Sequence, residues 1–267
     1  MPRTGPDLRT ALVTGACSGI GRAIAESLGA RGHDLVLVSN REGPLAEAAD
    51  TIRARHNVTV HAITMDLARP EAAAELHAAT SARDLAIDLL VNNAGIFFFG
   101  EAADADPRRA TAMLQLHVVT PSLLCTHFAR DMRARRRGRI LIVSSISAFR
   151  DFPGISYYGS SKKYLRGFAR SLRSELLPYG VSVTCLLPGA TATELYDPKV
   201  VPVELAKRLG VMMDPGDVAE AGLRALFRGD AECMPGALTR AMTWAAVATP
   251  QPVIDFIRRR APWLRKR

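Results

Sequence analysis

The chain has 267 residues, 48% apolar and 23% charged, with a formal net charge of +9. That is enough apolar sequence for one large α/β unit with a full core, and a mean hydropathy of +0.05 without a long apolar run argues against a membrane span. The stretch up to Thr10 holds Pro2, Arg3 and Asp7 and no apolar segment, so no secretory signal is expected.

The elements alternate in chain order. Thr10 to Val13 reads as a strand, Ile20 to Arg31 as a helix stopped by Gly32, and Leu35 to Val38 as a strand. Leu45 to Arg55 is helical, Val58 to Thr64 a strand, and Pro70 opens the next helix. Ile87 to Val91 is a strand, Pro107 to Arg136 one long helix, and Ile140 to Val143 a strand. Tyr157 to Leu177 is a long helix, and Val181 to Leu187 a strand closed by Pro188 and Gly189. Beyond it lie Pro215 to Phe227, a helix, and Glu232 to Met234, a short last strand. Strands that are apolar throughout belong to a parallel sheet covered on both faces. The expected fold is α/β: a single-domain Rossmann-type doubly wound parallel sheet flanked by helices. Residues 190–215 are expected to form a lid over the site and 237–267 a basic C-terminal region.

The charge is uneven. Arg258, Arg259, Arg260, Arg265, Lys266 and Arg267 place +6 of the +9 in the last ten residues, where there is no acid. Arg133, Arg135, Arg136, Arg137 and Arg139 form a second basic run at a helix-to-strand junction. No aromatic stacking pattern accompanies either run, so nucleic acid is not an expected partner. Between Trp244 and Trp263, apolar residues and the basic end would suit peripheral contact with an anionic membrane, although Pro250, Pro252 and Asp255 argue against a clean amphipathic helix. Cys17, Cys125, Cys185 and Cys233 are widely separated and the six histidines make no i, i+4 pair. No metal site is expected, and a reduced, cytoplasmic setting is.

Glycines at 15, 19 and 21 fill the turn between the first strand and the first helix. Gly15 permits the tight turn, Gly19 the approach of a pyrophosphate, and Gly21 the packing of helix on strand. After the second strand the chain reads Ser39, Asn40, Arg41. No carboxylate stands there to hold a ribose 2′-hydroxyl, and Arg41 can pair with a 2′-phosphate, so NADP is the expected cofactor, with NAD as the alternative.

Tyr158 and Lys162 lie four apart on one helix face, with Ser145 thirteen positions before the tyrosine. A neighbouring ammonium favours the phenolate and so draws the phenol's pKa down, which suits it to exchange a proton at a substrate oxygen.

The glycine turn, Asn92-Asn93-Ala94-Gly95, Ser145 and Tyr158-x-x-x-Lys162, in that order, resemble the short-chain dehydrogenase/reductase family in its single-domain form. The likeness implies a nicotinamide cofactor and hydride transfer at a carbonyl or alcohol carbon. It implies Tyr158 as general acid/base, Lys162 as the residue that tunes it and holds the nicotinamide ribose, and Ser145 as the support of the substrate oxygen. Ser144 and Ser147 are then structural. The cofactor is expected along Gly15, Cys17, Ser18, Gly19, Ile20 and Gly21, then Ser39, Asn40 and Arg41. Asp66 and Leu67 are expected at the adenine, and Asn93, Ala94 and Gly95 at the adenosine ribose, with Asn92 bracing the sheet. Pro188, Gly189, Thr191 and Thr193 are expected at the carboxamide.

One position departs from the pattern. Where the family has an asparagine that bends the long helix and lets a backbone carbonyl hold a water for the lysine, this chain has His117. Histidine can hydrogen-bond and titrates near neutrality, so a relay with its own pH dependence is expected; the alternative is a passive residue and reduced activity. Phe97, Phe98, Phe99, Phe149, Phe152, Tyr196, Met212 and Met213 are the candidates for an uncharged, apolar substrate pocket. The two long helices imply a homodimer or homotetramer. The expected function is an NADP(H)-dependent oxidoreductase for a hydrophobic carbonyl or alcohol. The alternative is a dinucleotide-binding regulator or scaffold that has lost turnover.

Overall fold

Runs of leucine, isoleucine and valine build the centre of the molecule. The structure, a computed structural model, describes residues 10–193 and 212–260, apart from the side chains of residues 257–259. The strands are β1 (Thr10–Thr14), β2 (Asp34–Ser39), β3 (Val60–Thr64), β4 (Leu89–Asn92), β5 (Gly138–Val143), β6 (Val181–Leu186) and β7 (Glu232–Cys233). They form one parallel sheet in the order β3-β2-β1-β4-β5-β6-β7. The register sets Leu12 beside Val36 and Leu90, and Val13 beside Leu37 and Val91. Alternate residues therefore point to opposite faces, and both faces are dry.

On one face Leu12, Val36, Leu90 and Ile140 pack under α3 (Ala72–Ser81), α5 (Thr120–Arg135) and α6 (Ser156–Leu176). On the other, Val13, Leu37, Val91 and Leu141 pack under α1 (Gly19–Ala30), α2 (Glu42–His56) and α7 (Pro215–Arg228). The doubly wound reading of the sequence is thus the observed architecture. The strand order reverses between β1 and β4, and a crevice opens there beyond the strands' carboxyl ends.

The helix expected from Pro107 to Arg136 is not continuous. It consists of α4 (Pro107–Leu114), a π-helical turn (Gln115–Val119) and α5. Pro121 supplies the reason: it has no N–H to give, and its ring crowds the carbonyl four residues back, at His117. The chain widens by one residue per turn, and the Thr120 N–H reaches the Gln115 carbonyl instead. Asp106 caps α4 by accepting from the Arg108 N–H at 2.9 Å.

The C-terminal region also differs from expectation. Two helices, α8 (Ala237–Ala248) and α9 (Gln251–Arg260), follow β7. Pro252 is the second residue of α9, where a missing N–H costs nothing; that is why the prolines separate two helices rather than forbid them. Met242, Trp244, Val253 and Phe256 on these helices are exposed. The expected lid residue Tyr196, most of the 190–215 segment and the basic residues beyond Arg260 lie outside the described residues. Among the described residues no helix is long and apolar enough to cross a membrane.

Candidate active site

The crevice is a cavity of about 860 Å³. Of the residues that the sequence assigns to catalysis or cofactor, all but Gly21 line it. Gly21 sits behind the turn, where a Cβ would collide with the Gly15 carbonyl and the Asn93 amide; its role is the close packing of α1 on β1. Gly15 and Gly19 adopt φ of +66° and +55°, a region that side chains disfavour. Ser18 stands at the N-cap of α1, makes no capping bond, and no acid lies in the first turn. The helix therefore presents uncapped N–H groups and its positive end to the cavity, the donor set that a pyrophosphate requires.

At the end of β2, the Arg41 guanidinium donates to Ser18 Oγ at 2.7 Å and to Cys17 Sγ at 3.1 Å. These contacts hold a cation beside the glycine turn. Across the crevice Asn93 ties the two central strands, its Nδ2 donating to the Thr14 carbonyl at 3.0 Å and its backbone N–H to Thr14 Oγ1 at 2.9 Å. Asn92 points the other way and braces the sheet against α5 through the Pro121 carbonyl at 3.3 Å. These residues fit a dinucleotide: an open glycine turn, an uncapped helix start and an arginine at the ribose end.

The other half of the cavity holds the groups able to exchange a proton. Ser145 follows β5, and its Oγ accepts from the Ser147 N–H at 3.1 Å. That bond uses a lone pair and leaves the hydroxyl hydrogen for a substrate oxygen. Ser144 donates to the Lys162 carbonyl at 2.6 Å, so it ties β5 to α6. Tyr158 and Lys162 lie one turn apart on α6. The tyrosine ring is held edge-on between Phe97 and His117, with centroids at 5.0 and 5.7 Å. Lys162 Nζ lies 5.6 Å from that ring's centroid and donates to the Val143 carbonyl at 3.0 Å. Lys162 is buried, and burial brings its ammonium down from 10.5 to about 8.

His117 behaves differently from the sequence expectation. The Ile96 N–H donates to its Nε2 at 3.0 Å, so that nitrogen is the acceptor. Nδ1 must then carry the hydrogen, given to Ser161 Oγ at 3.0 Å, and Ser161 in turn donates to the Tyr158 carbonyl at 2.8 Å. Both ring nitrogens are engaged by a neutral imidazole. Burial, with the Lys162 charge second, holds its pKa well below 6.5. It does not titrate near neutrality; it links the Gly95–Ile96 turn to the first turn of α6. Gly95 is needed for this fit, since a Cβ there would come within 2.9 Å of His117 Nε2.

Acid should expose this arrangement. Below about pH 6.5 the unfolded chain gains a proton at His117 that the folded one refuses, so stability falls with pH at up to about 1.4 kcal/mol per unit. Chemical unfolding between pH 7.5 and 4.5 should show a gentler acid slope for His117→Gln than for the parent. Equal slopes would contradict the neutral assignment.

The apolar candidates divide. Phe97 and Phe152 line the cavity, together with Ile155, Met242 and Ala246. Phe98 instead lies under Arg109, Phe99 packs on Gly154, and Phe149 is caught between Arg166 at 4.0 Å and Trp244 at 5.8 Å. The expected uncharged wall is not what is found, because Arg109 and Arg150 also line it. Nothing in the sequence joins α8 or these arginines to the site; only the folded chain brings them there.

A family model described as short chain dehydrogenase matches residues 9–201. An uncharacterised oxidoreductase of Myxococcus xanthus is 32% identical over 252 residues, covering 94% of this chain and 97% of its own. Among solved structures, a short-chain dehydrogenase from Sphingobium yanoikuyae in complex with NADPH is 30% identical with a TM-score of 0.79, over 91% of this chain and 97% of that one. The bulky-bulky ketone specific alcohol dehydrogenase from Comamonas testosteroni is 27% identical with a TM-score of 0.76, over 91% and 96%. With the glycine turn, the serine and the Tyr158–Lys162 pair gathered in one crevice, the chain belongs to the short-chain dehydrogenase family, NAD(P)-binding oxidoreductases that act on CH–OH or C=O groups.

Proposed function

We propose that this protein is an NADP(H)-dependent oxidoreductase that interconverts an apolar carbonyl compound and its alcohol, with Tyr158 as general acid/base. One observation carries the reading: the Ser145 hydroxyl, the Tyr158 ring and the Lys162 ammonium meet in the same cavity as the glycine turn and Arg41. The nicotinamide, when bound, supplies or accepts the hydride. In the reducing direction the Ser145 hydroxyl holds the carbonyl oxygen and the Tyr158 hydroxyl gives it a proton as negative charge develops there. The Lys162 charge stabilises the phenolate left behind. Phe97, Phe152 and Ile155 keep water from the reacting carbon. In the oxidising direction the phenolate takes the proton back.

His117 serves as a positioning residue, fixing the first turn of α6 through Ser161. Arg41 is the proposed partner of the 2′-phosphate. Arg41→Ala should weaken NADPH binding about 10- to 100-fold and leave NADH binding nearly unchanged; fluorescence titration of both cofactors checks this, and an equal loss for both would remove the assignment.

We further propose that the protein is a cytoplasmic homo-oligomer. The described cysteines are all free thiols, which suits a reducing compartment. Val119, Leu123 and Tyr164 expose apolar surface on the α5–α6 side, where a second copy would cover it.

The experiment for the enzymatic reading follows NADPH absorbance against a panel of ketones and aldehydes of graded size. Turnover of apolar carbonyl compounds is expected. NADPH binding with no turnover across the panel would favour a dinucleotide-binding scaffold.

A further inference from the structure

The cavity's charge is one-sided. Among the described residues that line it, Asp66 is the one carboxylate, and it accepts from the Ala68 N–H of its own loop at 2.9 Å. Four cations line the same space: Arg41, Lys162, Arg109 and Arg150. The first two have work to do on the cofactor. The other two stand on the side of Ser145 and Tyr158, and neither forms an ion pair among the described residues. Asp151, the acid adjacent to Arg150 in sequence, is taken by Lys163 at 3.2 Å.

Arg150 is built into the wall. It follows the short 3₁₀ turn Ile146–Ala148 that Ser145 caps, and it is half-buried. One Nη2 hydrogen goes to the Thr249 carbonyl, at the C-terminal end of α8, at 2.7 Å. That bond anchors the guanidinium at the negative end of a helix. Among the described residues its buried Nε has no partner and its Nη1 makes no hydrogen bond. The Nη end of the fork keeps three hydrogens, in a cavity wall that Phe152, Ile155 and Met242 also line; that matches one ligand chemistry well, a carboxylate, which takes two parallel N–H bonds. Arg109, exposed and lying over the Phe98 ring at 5.0 Å, lines the same cavity and adds attraction for an anion.

We propose that the substrate is an amphiphilic acid: an apolar body, a carbonyl or carbinol carbon presented to Ser145 and Tyr158, and a separate carboxylate held by Arg150. The assignment rests on the oxidoreductase reading above and refines its substrate class. Arg150 is then the specificity residue, and the apolar wall recognises the part of the molecule between the two polar ends.

The test uses aryl oxo-carboxylates of increasing spacer length, each beside its methyl ester, with NADPH as reductant. One spacer should give an acid preferred over its ester by about 30-fold or more in kcat/KM, the size expected of a charge-assisted bidentate contact. Arg150→Met should remove that preference by slowing the acid alone, and Arg150→Lys should restore part of it. Equal rates on acid and ester in the parent, or a Met variant that loses both alike, would overturn the proposal. A second arm is independent of turnover. Calorimetric titration of 4-phenylbutanoate and of 4-phenylbutanamide into the NADP⁺-saturated protein should show carboxylate-selective binding that Arg150→Met abolishes. If no carbonyl compound is reduced, the oxidoreductase reading fails and this arm decides the anion site alone: selective binding keeps it, and indifference between acid and amide ends it.

Discussion

Replacing Tyr158 by phenylalanine should lower kcat by about 10³-fold or more while the fold and NADPH binding persist, since general acid catalysis contributes about 10²–10⁴ and its only donor would be gone. The ring sits edge-on between Phe97 and His117, and phenylalanine keeps both contacts. The variant therefore isolates the hydroxyl from the packing. Among the described residues no other phenol lines the cavity. Tyr157 lies one helical position earlier, turned toward Phe98 with a centroid distance of 6.1 Å, and does not line the cavity. Steady-state rates with melting curves of both proteins give the answer. A variant that turned over within a few-fold of the parent would take Tyr158 out of the chemistry.

Lys162→Met should do two things that point in opposite directions: abolish most turnover and make the protein without cofactor more stable. Lys162 is held with its pKa lowered to about 8 by burial, against 10.5 for the free side chain. Below pH 8 both folded and unfolded chains carry the proton, and the folded state bears the full cost of a buried charge. Between about 8 and 10.5 only the unfolded chain keeps it, so stability rises with pH and the cost is gone above 10.5. At about 1.4 kcal/mol per unit the shift represents roughly 3 kcal/mol. Loss of the bond to the Val143 carbonyl returns about 1 kcal/mol of that. A gain on the order of 2 kcal/mol at pH 7 is expected, a rise of several degrees in Tm for a chain this long. The gain should fade by pH 10. The same titration predicts that kcat/KM of the parent, which reports the free protein, declines above about pH 8 rather than above pH 10. A Met variant less stable than the parent at pH 7 would show that the ammonium is not desolvated as described.

Much of this was legible because parallel strands covered on both faces leave a plain record. Runs such as Leu35–Val38 and Ile140–Val143 contain nothing else, and the glycines of the first turn can serve few other purposes. Most residues that line the crevice were legible too, since spacing on one helix and one turn fixes them locally. The break at Gln115–Val119 escapes the sequence reading, which gives one long helix from Pro107 to Arg136, although Pro121 acts locally on the carbonyl four residues earlier. What could not be read is what tertiary folding decides. His117 looks like a titrating group until Ile96 and Ser161 are seen on its two nitrogens. Arg150 looks like a surface cation until α8 is seen to bring the Thr249 carbonyl to it from 99 residues away. The wall of the substrate half is assembled from four separate stretches of chain, and no periodicity marks such an assembly.

The account stands most directly on hydride delivery beside the Tyr158 hydroxyl. NADPH carrying deuterium at the transferred position of the nicotinamide ring should be mixed with the best carbonyl substrate, and the alcohol product examined by mass spectrometry. The account predicts one deuterium on the carbinol carbon with the parent protein and almost none, over the same time, with Tyr158→Phe. An unlabelled alcohol from the parent, or equal labelling by the phenylalanine variant, would contradict it.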